Sequence, residues 1–250
     1  MNEKKIKEAA KAIIEKKSGI AFTGAGMSTA SGIPDFRSPT GVWAQYDIRE
    51  YAYIDAFREN PVKVWDFFRL RAEEYSKARP NAGHEALAKL EEEGFLKAVV
   101  TQNIDLLHQR AGTKNIYELH GSMGKLLCLK CGKEYETEAK GYEIREEVPY
   151  CVCGKVLKPG VVFFGEALPA GVFEKSVEMA LKTNFVIVAG TSAIVYPAAQ
   201  IPYIAKRNGS FIIEVNQEPT GLTNSITDIF LEGKIQEILP RLAGEVEKAE

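Results

Sequence analysis

Gly24-Ala25-Gly26-Met27-Ser28-Thr29-Ala30-Ser31-Gly32-Ile33-Pro34-Asp35-Phe36-Arg37-Ser38 follows the apolar run Gly19-Ile20-Ala21-Phe22-Thr23. The run reads as a buried strand, and the glycines after it permit a tight turn and a close backbone approach to a ligand. Backbone N–H groups at such a turn, feeding a helix N-terminus, form an anion site, so the local chemistry is phosphate binding after a first strand. The usual dinucleotide fingerprint has glycine at its sixth position, where this chain has Thr29. No acidic residue closes a second strand ~20 residues later, as a hydride-transfer enzyme needs for its ribose. The loop runs instead into Asp35, Phe36 and Arg37, an acid, an aromatic and a fixed cation suited to the reactive end of a nucleotide.

Outward from this loop, strand and helix patterns alternate. Ile6, Ala9, Ala10, Ile13 and Ile14 recur at helical spacing, which predicts an amphipathic helix over 3–17. Asn60-Pro61 reads as the N-cap and first residue of a helix carrying Val64, Phe67 and Phe68. A further helix is expected from Ala82 to Glu93, stopped by Gly94, and another over Ala198–Arg207, stopped by Gly209. Short β-rich runs stand at Ala98–Thr101, Phe185–Ala189 and Phe211–Val215. This alternation predicts an α/β protein, a Rossmann-like parallel sheet with helices on both faces. Ligands then bind at the carboxyl ends of the strands, where the polar motifs that follow each run gather. Residues 1–37, 80–120 and 160–250 are assigned to this domain. Residues 38–79 are read as a helical insert with the cofactor-binding loop, and 121–159 as a small metal-stapled insert.

Composition sets outer limits. The 250 residues are 45% hydrophobic, enough for a core, and 32 basic against 34 acidic residues leave a net charge of −2. No basic excess points to nucleic acid, and none is expected as a direct partner. Met1 to Lys17 lacks the apolar centre of a signal peptide, and no run approaches the ~20 apolar residues of a membrane helix. A soluble, cytoplasmic protein without a membrane partner is the expectation.

Cys128-Leu129-Lys130-Cys131-Gly132 has zinc-knuckle spacing, and 19 residues later comes the tighter pair Cys151-Val152-Cys153-Gly154. Four thiolates around tetrahedral zinc are the favoured reading, with two disulfides as the alternative. An intracellular setting favours metal. A closed shell of four sulfurs leaves no position for water, so the ion is structural. The short second pair has a different bite and is expected to lose an amide–sulfur bond. A stand-alone zinc ribbon for nucleic acid is the non-enzymatic alternative. Of the three histidines, His84 and His108 lie in helical patterns and suit structural roles, while His120 follows the apolar run Ile116-Tyr117-Glu118-Leu119 at the ligand edge.

The loop at 24–38 resembles the sirtuins, the NAD-dependent protein lysine deacylases, whose pattern G-A-G-x-S-x-x-S-G-I-P-D-F-R it matches in full. The resemblance continues in order through Thr101-Gln102-Asn103-Ile104-Asp105, His120-Gly121, the four cysteines, Val162-Phe163-Phe164-Gly165-Glu166, Gly190-Thr191-Ser192 and Val215-Asn216. It implies that NAD is a co-substrate and that acylated lysines in proteins are the partners. The acyl oxygen attacks the nicotinamide ribose, nicotinamide leaves, and neutral His120 then takes a proton from a ribose hydroxyl. Asn103 joins His120 as a catalytic residue. Gly24, Ala25, Gly26, Ser28, Asp35, Phe36, Arg37, Trp43, Gln102, Asn103, Ile104 and Asp105 are implied to contact NAD. So are Gly190, Thr191, Ser192, Asn216, Gln217, Glu218 and Ile235. Asp105 with Ile104 would take the nicotinamide amide, Arg37 the pyrophosphate, Asn216 the adenosine ribose. Asp35 would order the loop, and Glu214 reads as a strand-edge charge. Val162, Phe163 and Val195 would flank an added substrate strand.

Sirtuins that remove succinyl and malonyl groups carry Tyr-x-x-Arg over the acyl pocket. Here Phe68 and Arg71 stand at those positions, so the phenol hydroxyl is missing. Deacetylation first, with weaker desuccinylation through Arg71, is the expectation. Core packing for Phe68 and a solvated charge for Arg71 are the alternatives. An NAD-dependent ADP-ribosyltransferase and an NAD-sensing binding module remain open as other activities of the same site.

Overall fold

A computed structural model describes residues 2–137 and 148–249. The chain opens with α1 (Asn2–Lys16) and β1 (Gly19–Thr23), followed by α2 (Val42–Gln45), α3 (Ile48–Tyr51), α4 (Ile54–Glu59), α5 (Pro61–Lys77) and α6 (Ala82–Glu92). Next come β2 (Leu96–Thr101), α7 (Leu107–Arg110), β3 (Ile116–Glu118), β4 (Gly121–Leu127), β5 (Glu134–Glu136) and β6 (Lys158–Val161). The last part holds α8 (Val172–Lys182), β7 (Phe185–Ala189), α9 (Gln200–Arg207), β8 (Phe211–Asn216), β9 (Ile229–Glu232) and α10 (Ile235–Lys248).

Six strands form one sheet in the order β3-β2-β1-β7-β8-β9, all parallel. The alternation of side chains sorts β1 between two cores. Ala21 packs with Ile6, Ile13, Leu87, Leu90, Leu239 and Leu242 under α1, α6 and α10. Ile20 and Phe22 face the other way, with Ala180, Ile201 and Ala205 of α8 and α9. Both-face burial explains the unbroken apolar runs of β1 and β7, every residue of which is buried.

The helix ends follow local chemistry. Asn60 caps α5 by accepting from the Lys63 N–H at 3.1 Å, ahead of Pro61. Gly94, at φ +84°, turns the chain after α6, and the Phe95 N–H closes on the Leu90 carbonyl at 3.0 Å. The helix expected from Ala198 begins at Gln200, and the strand expected from Ala98 begins at Leu96. One expectation fails outright. The loop after β1 does not enter an α-helix but makes two 3-10 turns, Ala25–Met27 and Thr29–Ser31. Its chemistry is therefore that of a turn, not of a helix terminus.

Two inserts flank the carboxyl edge. Residues 38–79 form α2 to α5, and their apolar faces share a third core with Leu107, Met123, Val161 and Phe163. The second insert builds an antiparallel sheet in the order β5-β4-β6. β6 runs across the boundary expected at residue 159, and residues 138–147 of this insert lie outside the described ones. No helix among the described residues is long and apolar enough to cross a membrane.

Candidate active site and metal centre

β1 is the strand from which the chain leaves in both directions, to β2 and β3 on one side and to β7, β8 and β9 on the other. A crevice opens at the carboxyl ends where such a reversal occurs. The two central turns there touch backbone to backbone. The Gly26 N–H donates to the Gly190 carbonyl at 2.9 Å. A Cβ on Gly26 would sit 2.9 Å from the Gly190 Cα, and one on Gly190, which has φ +62°, would sit 2.3 Å from the Met27 nitrogen. Only glycine fits either place. These glycines thus serve strand-turn contact within the protein.

The other side chains at this edge are aimed by hydrogen-bond bookkeeping. The Asn103 amide donates to the Gly24 carbonyl at 3.0 Å and the Ser28 hydroxyl at 3.2 Å. Its carbonyl oxygen is the group left over. The Ser28 hydroxyl donates to Asp105 at 2.6 Å, so Ser28 is engaged inside the protein. Asp105 also accepts from the Leu107 N–H at 2.9 Å, yet burial pushes its carboxyl above the ordinary range against the Ser28 and Leu107 bonds. Thr191 is the converse case. Its hydroxyl oxygen accepts from Gln102 Nε2 at 2.9 Å and the Ala193 N–H at 3.0 Å, which leaves its proton to donate outward.

His120 sits just past β3. Its Nδ1 lies 3.1 Å from the Gln102 carbonyl, which can only accept, so Nδ1 carries the proton. Nε2 is then the bare nitrogen. Burial lowers the imidazole pKa; the Gln102 bond opposes this and the Arg37 charge adds to it. Asp35 orders its loop as expected, accepting from the Arg37 and Ser38 N–H groups at 2.9 and 2.7 Å. Phe36 stacks on Trp43 at 5.6 Å, and Trp43 on Phe67 at 5.9 Å, which ties this loop to α5. Ser192, Gln217 and Glu218 are exposed at the ends of β7 and β8, and Ile104 is half-buried beyond β2. Ile235 opens α10 with its side chain packed into the core against Gly83.

Three further positions depart from expectation. Glu214 is not a strand-edge charge but fully buried, accepting from Asn216, Thr220, Thr223 and Thr227. Arg71 is not solvated: it is 8% exposed, paired with Glu74 at 2.7 Å and laid over the rings of Tyr46 and Phe67. Phe163 points inward, stacked on Phe68 at 5.4 Å. The N–H groups of Val162, Phe163 and Phe164 are all bonded within the chain, to His120, Glu166 and Ala52. The Phe163 and Phe164 carbonyls are taken as well, by the Glu166 and Ile54 N–H groups at 3.0 and 3.1 Å, so the backbone of this run is largely satisfied by the protein itself. Val195 is half-buried, between exposed Ile194 and Tyr196.

His84 and His108 support the site in a way the sequence did not reveal. His84 Nδ1 accepts from the Asn81 N–H at 3.3 Å, so its Nε2–H faces Ser28 at 3.5 Å. His108 Nε2 donates to Thr23 at 2.9 Å, Thr23 donates to Thr101 at 2.8 Å, and Thr101 accepts from the Asn103 N–H at 3.0 Å. The rings stand 4.9 Å apart. Helical periodicity places both inside and says nothing of this relay.

The sulfurs of Cys128, Cys131, Cys151 and Cys153 lie within 4.8 Å of one another, with Cys128–Cys153 at 3.5 Å and Cys131–Cys151 at 3.6 Å. These separations are too long for disulfides and fit the edges of a tetrahedron with Zn–S bonds of about 2.3 Å. Backbone amides of Lys130 and Cys131 favour the Cys128 thiolate, and that of Cys153 the Cys151 thiolate. The short pair adds a side chain: the Tyr135 hydroxyl lies 3.2 Å from the Cys151 sulfur, and the thiol is pushed down to about 6, chiefly by the Cys153 amide and next by Tyr135.

With this geometry in hand, comparison with known proteins matches residues 24–197 to the Sir2 family. The chain is 46% identical over 247 residues to the NAD-dependent protein deacylase of Pyrococcus abyssi, covering 97% of this chain and 98% of that protein. It superposes on a Sir2 homologue–NAD complex with a TM-score of 0.90 at 43% identity, over 97% of this chain and 94% of the other. A Sir2 homologue mutant–ADP-ribose complex gives a TM-score of 0.93 at 42% identity, over 97% and 96% of the two chains. The protein belongs to the Sir2 family.

Acid should expose the histidine pair. Burial holds His84 at about 4 and His108 at about 3, with the neighbouring His84 also lowering His108, against 6.5 when unfolded. Their contribution to stability is whole above pH 6.5 and falls as pH drops toward the folded values. Each costs about 1 kcal/mol per pH unit in that window. His108→Gln should flatten the decline of Tm between about pH 7 and pH 5; a decline as steep as wild type would count against the assignment. Cys151→Ser should remove zinc, read by elemental analysis, and lower Tm. Retained stability in a zinc-free variant would contradict a structural metal.

Proposed function

We infer that this chain is an NAD-dependent protein-lysine deacylase and propose a division of labour among its residues. The observation that carries the reading is His120: its Nδ1 is tied to the Gln102 carbonyl at 3.1 Å and burial lowers its pKa, which favours the neutral ring with its proton on Nδ1 and Nε2 bare. That is the form a general base needs to take a proton from a ribose hydroxyl. NAD supplies the leaving nicotinamide and the ribose that receives the acyl group. The chain binds, orients and takes the proton.

Asn103, with its amide N–H groups turned inward, offers its carbonyl oxygen to a ribose hydroxyl or a water. Asp105 and Ile104 receive the carboxamide and ring of nicotinamide, and Gln102 faces the ribose. Phe36 shields the reacting face on one side, held by its stack on Trp43. Arg37 and the Ala25 N–H meet the pyrophosphate, with outward hydroxyls from Thr191 and Ser192, while the Gly24 and Gly26 N–H groups stay on the Ala189 and Gly190 carbonyls. Asn216 takes the adenosine ribose, beside Gln217 and Glu218. The zinc ion holds the small sheet together and stays outside the chemistry.

The substrate peptide lies between the Val162 edge and Val195 as an added strand held mostly through its backbone, which reads little of its sequence. Phe68 on Phe163 floors the acyl channel. Arg71 already has a counter-charge in Glu74 and keeps only its Nε without a partner, so a carboxylated acyl group finds a partly engaged guanidinium and no phenol. Acetyl groups are therefore preferred over succinyl. The place of work is the cytoplasm, which suits four thiols held for metal, and no direct nucleic-acid contact is involved.

His120→Ala should lower deacylation by ~10²–10⁴-fold while NAD binding is kept. Activity within about threefold of wild type would remove His120 as the base. Because its pKa lies below 6.5, the acid limb of the kcat/KM profile should fall below that pH. Phe68→Tyr should raise kcat/KM for a succinyl-lysine peptide by roughly 10-fold or more relative to its acetyl counterpart. No gain would take Phe68 out of the channel, and succinyl preferred by wild type would reverse the ranking.

A further inference from the structure

Glu214 is a carboxylate that the proposed chemistry does not use, buried completely in a strand whose other buried residues are the apolar Ile212, Ile213 and Val215 and, at its end, Asn216. An apolar residue would fill such a place without the desolvation cost of a charge. Four donors converge on it instead. Oε1 accepts from Asn216 Nδ2 at 3.1 Å and Thr220 Oγ1 at 2.6 Å, and Oε2 from Thr223 and Thr227 Oγ1 at 2.8 and 2.7 Å. This is the pattern of an anion held by charge-assisted bonds.

Its effect passes through Asn216. The second Asn216 N–H donates to the Thr191 carbonyl at 3.3 Å. Both partners can only accept, so the amide has one possible orientation. Among the described residues nothing donates to its carbonyl oxygen, which is left at the carboxyl edge of the sheet beside a fixed negative charge. An acceptor backed by an anion suits a ribose that bears free hydroxyls, since these donate. It opposes a 2′-phosphate, which is anionic and donates nothing at neutral pH.

We propose that Glu214 is a specificity-determining residue: through Asn216 it makes the adenosine end select the unphosphorylated dinucleotide and reject its 2′-phosphorylated form. Hydride-transfer enzymes place an acid after a second strand for this task. Here the acid lies on β8, one amide removed from the ligand. The inference rests on the placement of Asn216 at the adenosine ribose given above.

The test is calorimetry on the zinc-loaded protein with ADP-ribose and 2′-phospho-ADP-ribose, which avoids turnover. Glu214→Gln is close to isosteric, and the threonine hydroxyls can turn to accept from its amide. It should narrow the affinity ratio between the two ligands by about tenfold or more, mainly by tightening the phosphorylated one. Thr220→Val disturbs the same turn but keeps the charge, and should leave the ratio as in wild type. An unchanged ratio in Glu214→Gln, or an equal change in Thr220→Val, would reduce Glu214 to a brace and overturn the proposal. Asn216→Ala separates the premise: it should weaken ADP-ribose, and undiminished affinity would overturn the placement of Asn216 instead.

Discussion

The contact between the turns after β1 and β7 is the constraint on which the site depends. Gly26 donates to the Gly190 carbonyl at 2.9 Å, with no room for a Cβ on either residue. The strands behind them are paired in register, Gly19 with Phe185 through Thr23 with Ala189. The two loops that flank the crevice are thus held to each other and to the centre of the sheet. A side chain at either glycine would part the backbones and, with them, Thr191 from Gln102.

From that fixed edge, polarity is set by exhausting one kind of bonding capacity. Asn103 and Asn216 each turn both amide hydrogens inward, and His120 its Nδ1–H, so all three offer an acceptor to a ligand. Thr191 accepts twice from the protein and offers a donor. Acceptors suit ribose hydroxyls, and a donor suits phosphate. The pattern requires dry support, which His84 and His108 supply as neutral donors to Ser28 and Thr23. Charged rings there would bury two cations side by side; burial depresses both pKa values, and the neighbouring His84 lowers that of His108 further.

The inserts add what a parallel sheet lacks. α2 to α5 and the strand end at Val161–Phe163 share one aromatic-rich core, which links the loop after β1 through Phe36, Trp43 and Phe67 to the stacked rings of Phe68 and Phe163. The metal module is anchored to the same core by a buried ion. Lys158 of β6 meets Glu166 at 3.0 Å, and Glu166 accepts from the Phe163 N–H at 2.8 Å.

Much was legible in the residues alone. Periodicity gave the strands and helices to within a few positions, because burial on one or both faces dictates where apolar side chains recur. Cysteine spacing gave the metal set, because ligands brought together by two short turns must be close in sequence. Order along the chain gave the family. What escaped were properties that belong to pairs distant in sequence. Whether Arg71 is solvated depends on Tyr46 and Glu74 closing over it; whether Glu214 is an edge charge depends on three threonines folding back. That the Ile235 side chain meets Gly83 is likewise invisible in a sequence, which does not say which face of a helix end turns inward. The residue types, and so the chemistry within reach, were determined by the sequence. The direction each group faces was decided by tertiary structure, since a donor or acceptor is aimed at a ligand only once the protein has occupied its other bonds.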